Sequence, residues 1–239
     1  MSLSLIIPVH NEVNQIKFTL KKLTKFKKVF KKFEVIFIND FCTDGTEKII
    51  KKFMKKRNFI KFYNNKKKGL GSAIELGIIK SSKDFVCIFM SDMSDNLNDL
   101  KKYYKLISRD KLDAVLGTRF SNMSKIKNYP RLKLILNRIF NSIVRIILLS
   151  RYNDFTNAFK IYKRKTLLKL LPIVSENFNV FLELPLKIII RGYNYSITPI
   201  NWKNRNRGKS KFKIKELGSM YLFTLFYCLL EKILLKSKK

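Results

Sequence analysis

Asp84-Phe85-Val86-Cys87-Ile88-Phe89-Met90-Ser91-Asp92-Met93-Ser94-Asp95 is the stretch on which the reading of this chain turns. Residues 85–90 are an unbroken apolar run of strand length, which fits a strand buried on both faces. Two carboxylates, Asp92 and Asp95, follow it directly. The chain has 17 acidic residues against 51 basic ones, so two acids at one strand end need a reason. They fit a helix cap, with Asp95 or Asn96 opening a helix at residue 97. They equally fit ligands for a hard cation.

Working outward, further short apolar runs at residues 3–9, 34–39, 59–63 and 113–116 predict strands. Between them, residues 15–23, 70–79 and 97–107 carry helical spacing. Asp44-Gly45-Thr46-Glu47 has the form of a capping box opening a helix to about residue 54. Strands alternating with helices over short links predict a three-layer α/β/α domain with a mostly parallel sheet. Ligands of such sheets sit beyond the carboxyl ends of the strands. Residues 8–12, 39–44 and 91–95 fall there.

The second half is more helical. Residues 132–149 place apolar side chains at 132, 135, 136, 139, 140, 143, 144 and 147, opposite Lys133, Asn137, Arg138, Asn141 and Arg145. Residues 181–190 predict a helix and 195–202 a strand. A basic loop follows at 204–213, then a helix over about 215–236. Its uninterrupted apolar run is ten residues, half of what a membrane crossing needs. An in-plane amphipathic helix and a helix packed on protein both fit. The simplest partition is one domain over residues 1–212 with a helical tail over 213–239.

Net charge is +34, and such a surface attracts polyanions. Of the 51 basic residues 40 are Lys and 11 Arg, spread along the chain among many Asn and Ile. A biased coding sequence would give the same excess, so Arg is the sharper probe of phosphate sites. No nucleic-acid-binding motif is present and the aromatics fall in strands, so nucleic acid is not the expected partner. Three Cys without a Cys-x-x-Cys pair favour neither disulfides nor zinc and fit a reducing cytosol. The N-terminus lacks a basic leader and is expected to be the first strand rather than a signal peptide.

Five segments in order, SLIIPVHNE, VIFINDFCTDGT, KGLGSA, FMSDMSDNLNDL and GTRF, resemble family 2 glycosyltransferases of the Rossmann-like GT-A type. DFTNAFKIYKR and NWKNRNRGKSK extend the resemblance to about residue 212. They point it toward the polyprenyl-phosphate sugar synthases, such as dolichyl-phosphate mannose synthase. The resemblance implies an inverting, metal-dependent transfer from a GDP- or UDP-linked sugar to a polyprenyl phosphate, on the cytoplasmic face of a membrane. A sugar hydroxyl in surface polysaccharide assembly is the alternative acceptor.

It also implies residue roles. Pro8, Val9, Asn11, Glu12, Asp40, Gly69 and Gly71 border the nucleotide, with glycine amides free to approach an oxyanion. Asn39 replaces the first acid of a family Asp-Asp pair. Asp92 takes the second place of the family's Asp-x-Asp, binding Mg²⁺ or Mn²⁺. Met90 occupies the first place, and Asp95 is the substitute ligand or a cap. Asp92, Arg119 and Arg205 are the expected catalytic group. Arg119, Arg131, Arg205, Ser210 and Lys211, with Gly208 in the same loop, are expected around the acceptor phosphate. The one His, His10, lies in the nucleotide-side turn and is not an evident base. Glu183 is a candidate base for a hydroxyl acceptor, or the partner of Lys187 four residues on.

Overall fold

The computed structural model describes residues 2–30, 32–204 and 214–236. Five parallel strands form first: β1 (Ser2–Val9), β2 (Lys32–Asn39), β3 (Ile60–Asn64), β4 (Phe85–Ile88) and β5 (Ala114–Thr118). Between them run α1 (Val13–Lys27), α2 (Thr46–Met54), α3 (Leu70–Lys80) and α4 (Asp99–Arg109). Alternation along β1 shows why the chain makes layers. Leu3, Leu5, Ile7 and Val9 face a core shared with α1 and α4, while Ile6 faces the one beneath α3.

The second half completes the sheet. It contains β6 (Ile126–Lys127), α5 (Arg131–Leu148), β7 (Lys160–Lys163), α6 (Arg164–Lys169), α7 (Val180–Ile190), β8 (Tyr195–Pro199), β9 (Trp202–Lys203) and α8 (Ile214–Lys236). Strand order is β3-β2-β1-β4-β7-β5-β8, with β6 and β9 in a separate pair. β7 is antiparallel to both β4 and β5, and β8 is parallel to β5. The carboxyl ends of β1, β2, β4 and β5 therefore share one edge with the start of β7.

Two local expectations are corrected. Asp44 is not the N-cap of a capping box: Gly45 holds that position at φ +87°. The Asp44 carboxylate instead accepts from Thr46 and from the Val13 amide, 2.9 Å away, tying the entries of α1 and α2 together. Glu47 turns back to accept from Asn39. The helix expected from residue 97 begins at Asp99. Neither Asp95 nor Asn96 caps it, and Asn96 accepts from the Asn98 amide in a turn.

α8 packs on α7, with Tyr221, Leu225 and Cys228 in the core. Its outer side and that of α5 are apolar and exposed. On α5, Leu132, Ile135, Leu136, Ile139, Ile143, Ile146 and Ile147 are 42–70% exposed; on α8, Leu222, Phe223, Phe226, Leu230, Ile233 and Leu234 are 50–65% exposed. The Phe140 and Tyr221 rings meet edge to face at 5.6 Å and join the two helices. Among the described residues no helix is long and apolar enough to cross a membrane.

Candidate active site

A cavity of about 1150 Å³ opens at the carboxyl edge of the sheet. At one end it is lined by Pro8, Val9, His10, Glu12, Asp40 and Gly69. Asp40 Oδ1 accepts from the Asn65 side chain and from the Gly69 amide, both at 2.9 Å, and this fixes the carboxylate. His10 Nδ1 lies 2.6 Å from the Asp40 carbonyl. Asn39, beside it, donates to Glu47 and Asn64 and accepts from the Cys42 amide. An aspartate here could not donate, so the departure from the Asp-Asp pair is explained by packing.

Three nucleotide-side residues sit differently from expectation. Asn11 does not line the cavity; it stands at φ +50° and accepts from the Thr43 amide. The glycine amides are not open to an anion. Gly69 donates to Asp40, and Gly71, also outside the lining, donates to the Glu176 carbonyl at 3.0 Å. Glycine is required at 71 for closeness: a Cβ would stand 1.6 Å from the Ser175 carbonyl oxygen.

The middle of the cavity holds Met90, Ser91, Asp92, Ser94 and Asp95. Asp92 Oδ1 accepts from the Ser94 amide at 3.0 Å. Asp95 is 6% exposed, and its Oδ1 has no hydrogen-bond partner. Burial, and then the neighbouring Asp92 charge, push its carboxyl up to about 8. An unsatisfied buried carboxylate oxygen beside a second carboxylate is a donor set that suits a divalent cation. Among the described residues no group of three acidic, His or Cys side chains converges. A cation held here would need oxygens from a bound diphosphate or water to complete its shell.

Arg119 forms the next wall. Its Nε and Nη2 pair with both oxygens of the fully buried Asp154 at 2.9 and 2.6 Å, and its amide donates to the same carboxylate. Burial works against the guanidinium charge, but Asp154 outweighs it and the pKa is raised. Arg119 Nη2 also donates to Thr156 and the guanidinium bonds Tyr129, so most of its fork is committed within the wall. Arg131 is exposed and does not line the cavity. The α5 cation that does is Lys133, half-buried, its pKa lowered by burial and by Arg119. Asn137 lies one turn on and donates to the Tyr129 hydroxyl. Arg205, Gly208, Ser210 and Lys211 lie outside the described residues.

Glu183 is not placed to act as a base. It is fully buried, accepts from the Val174 and Ser175 amides and pairs with Lys187 at 2.6 Å. Lys187 also donates to the Leu170 and Pro172 carbonyls. The pair holds the segment that carries Glu176 and Asn177 into the cavity. Beyond them the lining becomes apolar: Leu136, Phe140, Phe178, Phe181, Tyr221 and Leu222.

The sequence pattern of Glycosyl transferase family 2 matches residues 4–171. The chain belongs to that family. It is 24% identical to the glycosyltransferase AglD of Haloferax volcanii over 232 residues, covering 94% of this chain and 37% of AglD. Over 145 residues it is 30% identical to the probable glycosyltransferase YdaM of Bacillus subtilis, covering 58% of this chain and 32% of YdaM. The chain thus spans about a third of the length of these relatives. Among solved structures it is similar to glucosyl-3-phosphoglycerate synthase of Mycobacterium tuberculosis in complex with Mn²⁺ and UDP-glucose. That match has a TM-score of 0.69 at 17% identity and covers 97% of this chain and 78% of the other. The same enzyme bound to phosphoglyceric acid matches with a TM-score of 0.70 at 18% identity, over 95% and 79%. The fold is therefore the expected GT-A type.

Proposed function

We propose that this glycosyltransferase moves a sugar from a nucleoside-diphosphate donor to a polyprenyl phosphate at a membrane surface, with inversion. One observation carries the acceptor assignment. The cavity runs from the carboxylates, past Lys133, to an apolar end whose Leu136 and Leu222 also belong to the exposed faces of α5 and α8. A sugar or a soluble phosphate ester has no use for that end, whereas a lipid tail does. The exposed apolar faces, set in a chain of net charge +34, suit an anionic bilayer.

Asp40 and its neighbours would hold the nucleoside; the mycobacterial enzyme of this fold has been solved in complex with Mn²⁺ and UDP-glucose. Asp92 and Asp95 would hold Mg²⁺ or Mn²⁺. Bound there, the ion neutralises charge gathering on the departing diphosphate. Lys133 would face the acceptor phosphate, with the charge of Arg119 in the wall behind it. A phosphate monoester has its second pKa near ~6 and is mostly dianionic at neutral pH. Its oxygen attacks the anomeric carbon as the carbon–oxygen bond to the diphosphate breaks, and no proton has to be removed. A hydroxyl acceptor would need a base. Glu183 is sealed away, and His10 faces the Asp40 carbonyl.

The test is turnover of radiolabelled GDP- and UDP-sugars with short-chain polyprenyl phosphate and Mg²⁺ or Mn²⁺. Transfer should appear with one donor class. No transfer from any donor to the lipid, with transfer to a sugar hydroxyl instead, would replace this acceptor assignment.

A further inference from the structure

A second groove, of about 670 Å³, lies behind the wall that carries Asp95. Ser94, Asp95 and Trp202 line both spaces, so the strip joining residue 95 to Trp202 is their partition. The groove is bounded by the outer face of α1, the segment 93–98 and the β6–β9 pair. Six side chains lining it are Lys22, Lys25, Lys101, Lys125, Lys127 and Lys203, all exposed.

Chain composition alone does not account for this. Six of the nine exposed lining residues are Lys, against 26 of the 69 exposed residues among those described, so the groove exceeds even this Lys-rich surface. Among the described residues the only acid in the lining is Asp95, which is buried and belongs to the other site. Among the described residues none of the six ammonium groups pairs with a carboxylate. Like charges gathered round a concave surface repel each other and focus a positive potential into it. Backbone bonds hold the floor rigid: the Trp202 amide donates to the Lys125 carbonyl at 2.9 Å and the Lys203 amide to the Ser94 carbonyl at 3.0 Å.

We propose that this groove is a second anion site, separate from the donor cavity, for a ligand carrying several clustered phosphate groups. Lysines act there as point charges on flexible stems, which suits closely spaced phosphates better than one planar carboxylate. The ligand's source is a soluble polyphosphorylated molecule or the headgroups of an anionic membrane.

The experiment measures binding of inorganic tripolyphosphate to the full chain by calorimetry, without divalent ions. The groove variant is Lys22→Gln/Lys25→Gln/Lys125→Gln/Lys127→Gln. A control of equal charge loss, Lys48→Gln/Lys52→Gln/Lys55→Gln/Lys56→Gln, lies on and just after α2. The groove variant should weaken binding by at least ~10-fold and the control by less than ~3-fold, as local rather than diffuse charge requires. Equal weakening by both, or by neither, overturns the proposal. So does loss of binding in Lys133→Gln alone, which would put the anion in the donor cavity. Co-sedimentation with vesicles of phosphatidylcholine, with and without about 30% phosphatidylglycerol, names the source. A loss greater than the control's assigns lipid headgroups; an unchanged response assigns a soluble ligand. Sugar transfer is a separate readout, so failure here leaves the catalytic assignment standing.

Discussion

Asp95 holds a proton at neutral pH because its carboxylate is buried beside Asp92 and one oxygen has nothing to bond. An unfolded aspartate releases that proton near ~3.9. The folded chain binds more protons than the unfolded one between about pH 4 and 8, so stability from this group falls as pH rises through that window. Lys160 does not obscure the effect below pH 7. It is buried against the Phe155, Asn157 and Phe181 carbonyls, and burial pulls it down to about 7. Below that it is charged in both states. The melting temperature of chelator-treated protein should therefore drop from pH 5 to 7. Asp95→Asn should flatten the drop and abolish the thermal shift given by Mn²⁺. A parent profile already flat would contradict this. Lys133→Gln should raise KM for polyprenyl phosphate by roughly 10- to 100-fold, the worth of a charge-assisted hydrogen bond, and leave the nucleotide-sugar KM alone. Much at this scale was legible in advance. That Asp40, Asp92 and Asp95 line the cavity follows from their strand ends, whereas the roles expected of them come from the family resemblance. The sequence does not distinguish Lys133 from Arg131 as the cavity cation, because an apolar stripe does not say which turn faces a cavity.

At the scale of elements, α7 shows how a buried ion pair can position a site without touching substrate. Glu183 and Lys187 satisfy two amides and two carbonyls of the segment that presses on Gly69 and Gly71. Glu183→Gln leaves a buried ammonium without its charge partner, which costs about 3–5 kcal/mol. For a chain of this size, about 2–4 °C is lost per kcal/mol, so melting should fall by roughly 6–20 °C. Chemical denaturation should show the same loss, and a variant as stable as the parent would mean the pair is dispensable. The i,i+4 spacing of this pair was visible in the sequence, but its burial was not. Spacing fixes which side chains meet along a helix, not whether water reaches them. The same limit hid β7. Its four residues, Lys160–Lys163, are too short and too charged to stand out as a strand.

Over the whole molecule, two apolar helix faces stand exposed in a chain of diffuse positive charge. In the proposed docking to a membrane the apolar faces would supply insertion and the charge attraction, and the two would respond differently to salt. Ile139→Asn/Ile143→Asn/Phe226→Asn should leave flotation with anionic vesicles at low salt and abolish it at physiological salt, where the remaining attraction is screened. It should also leave transfer to a water-soluble, short-chain acceptor within about threefold of the parent, since these side chains lie outside the cavity lining. Unchanged flotation would show that α5 and α8 meet protein rather than lipid.

The antiparallel placement of β7 bears on how the chain is made. β5 has no bonded neighbour among the strands before it; it joins β4 only through β7, some 45 residues downstream, and through β8 beyond. During synthesis the first four strands can close on one another, while β5 must wait with both edges bare until residue 160 has left the ribosome. The nascent chain is then most exposed to mispairing after the four strands of its first half have already closed.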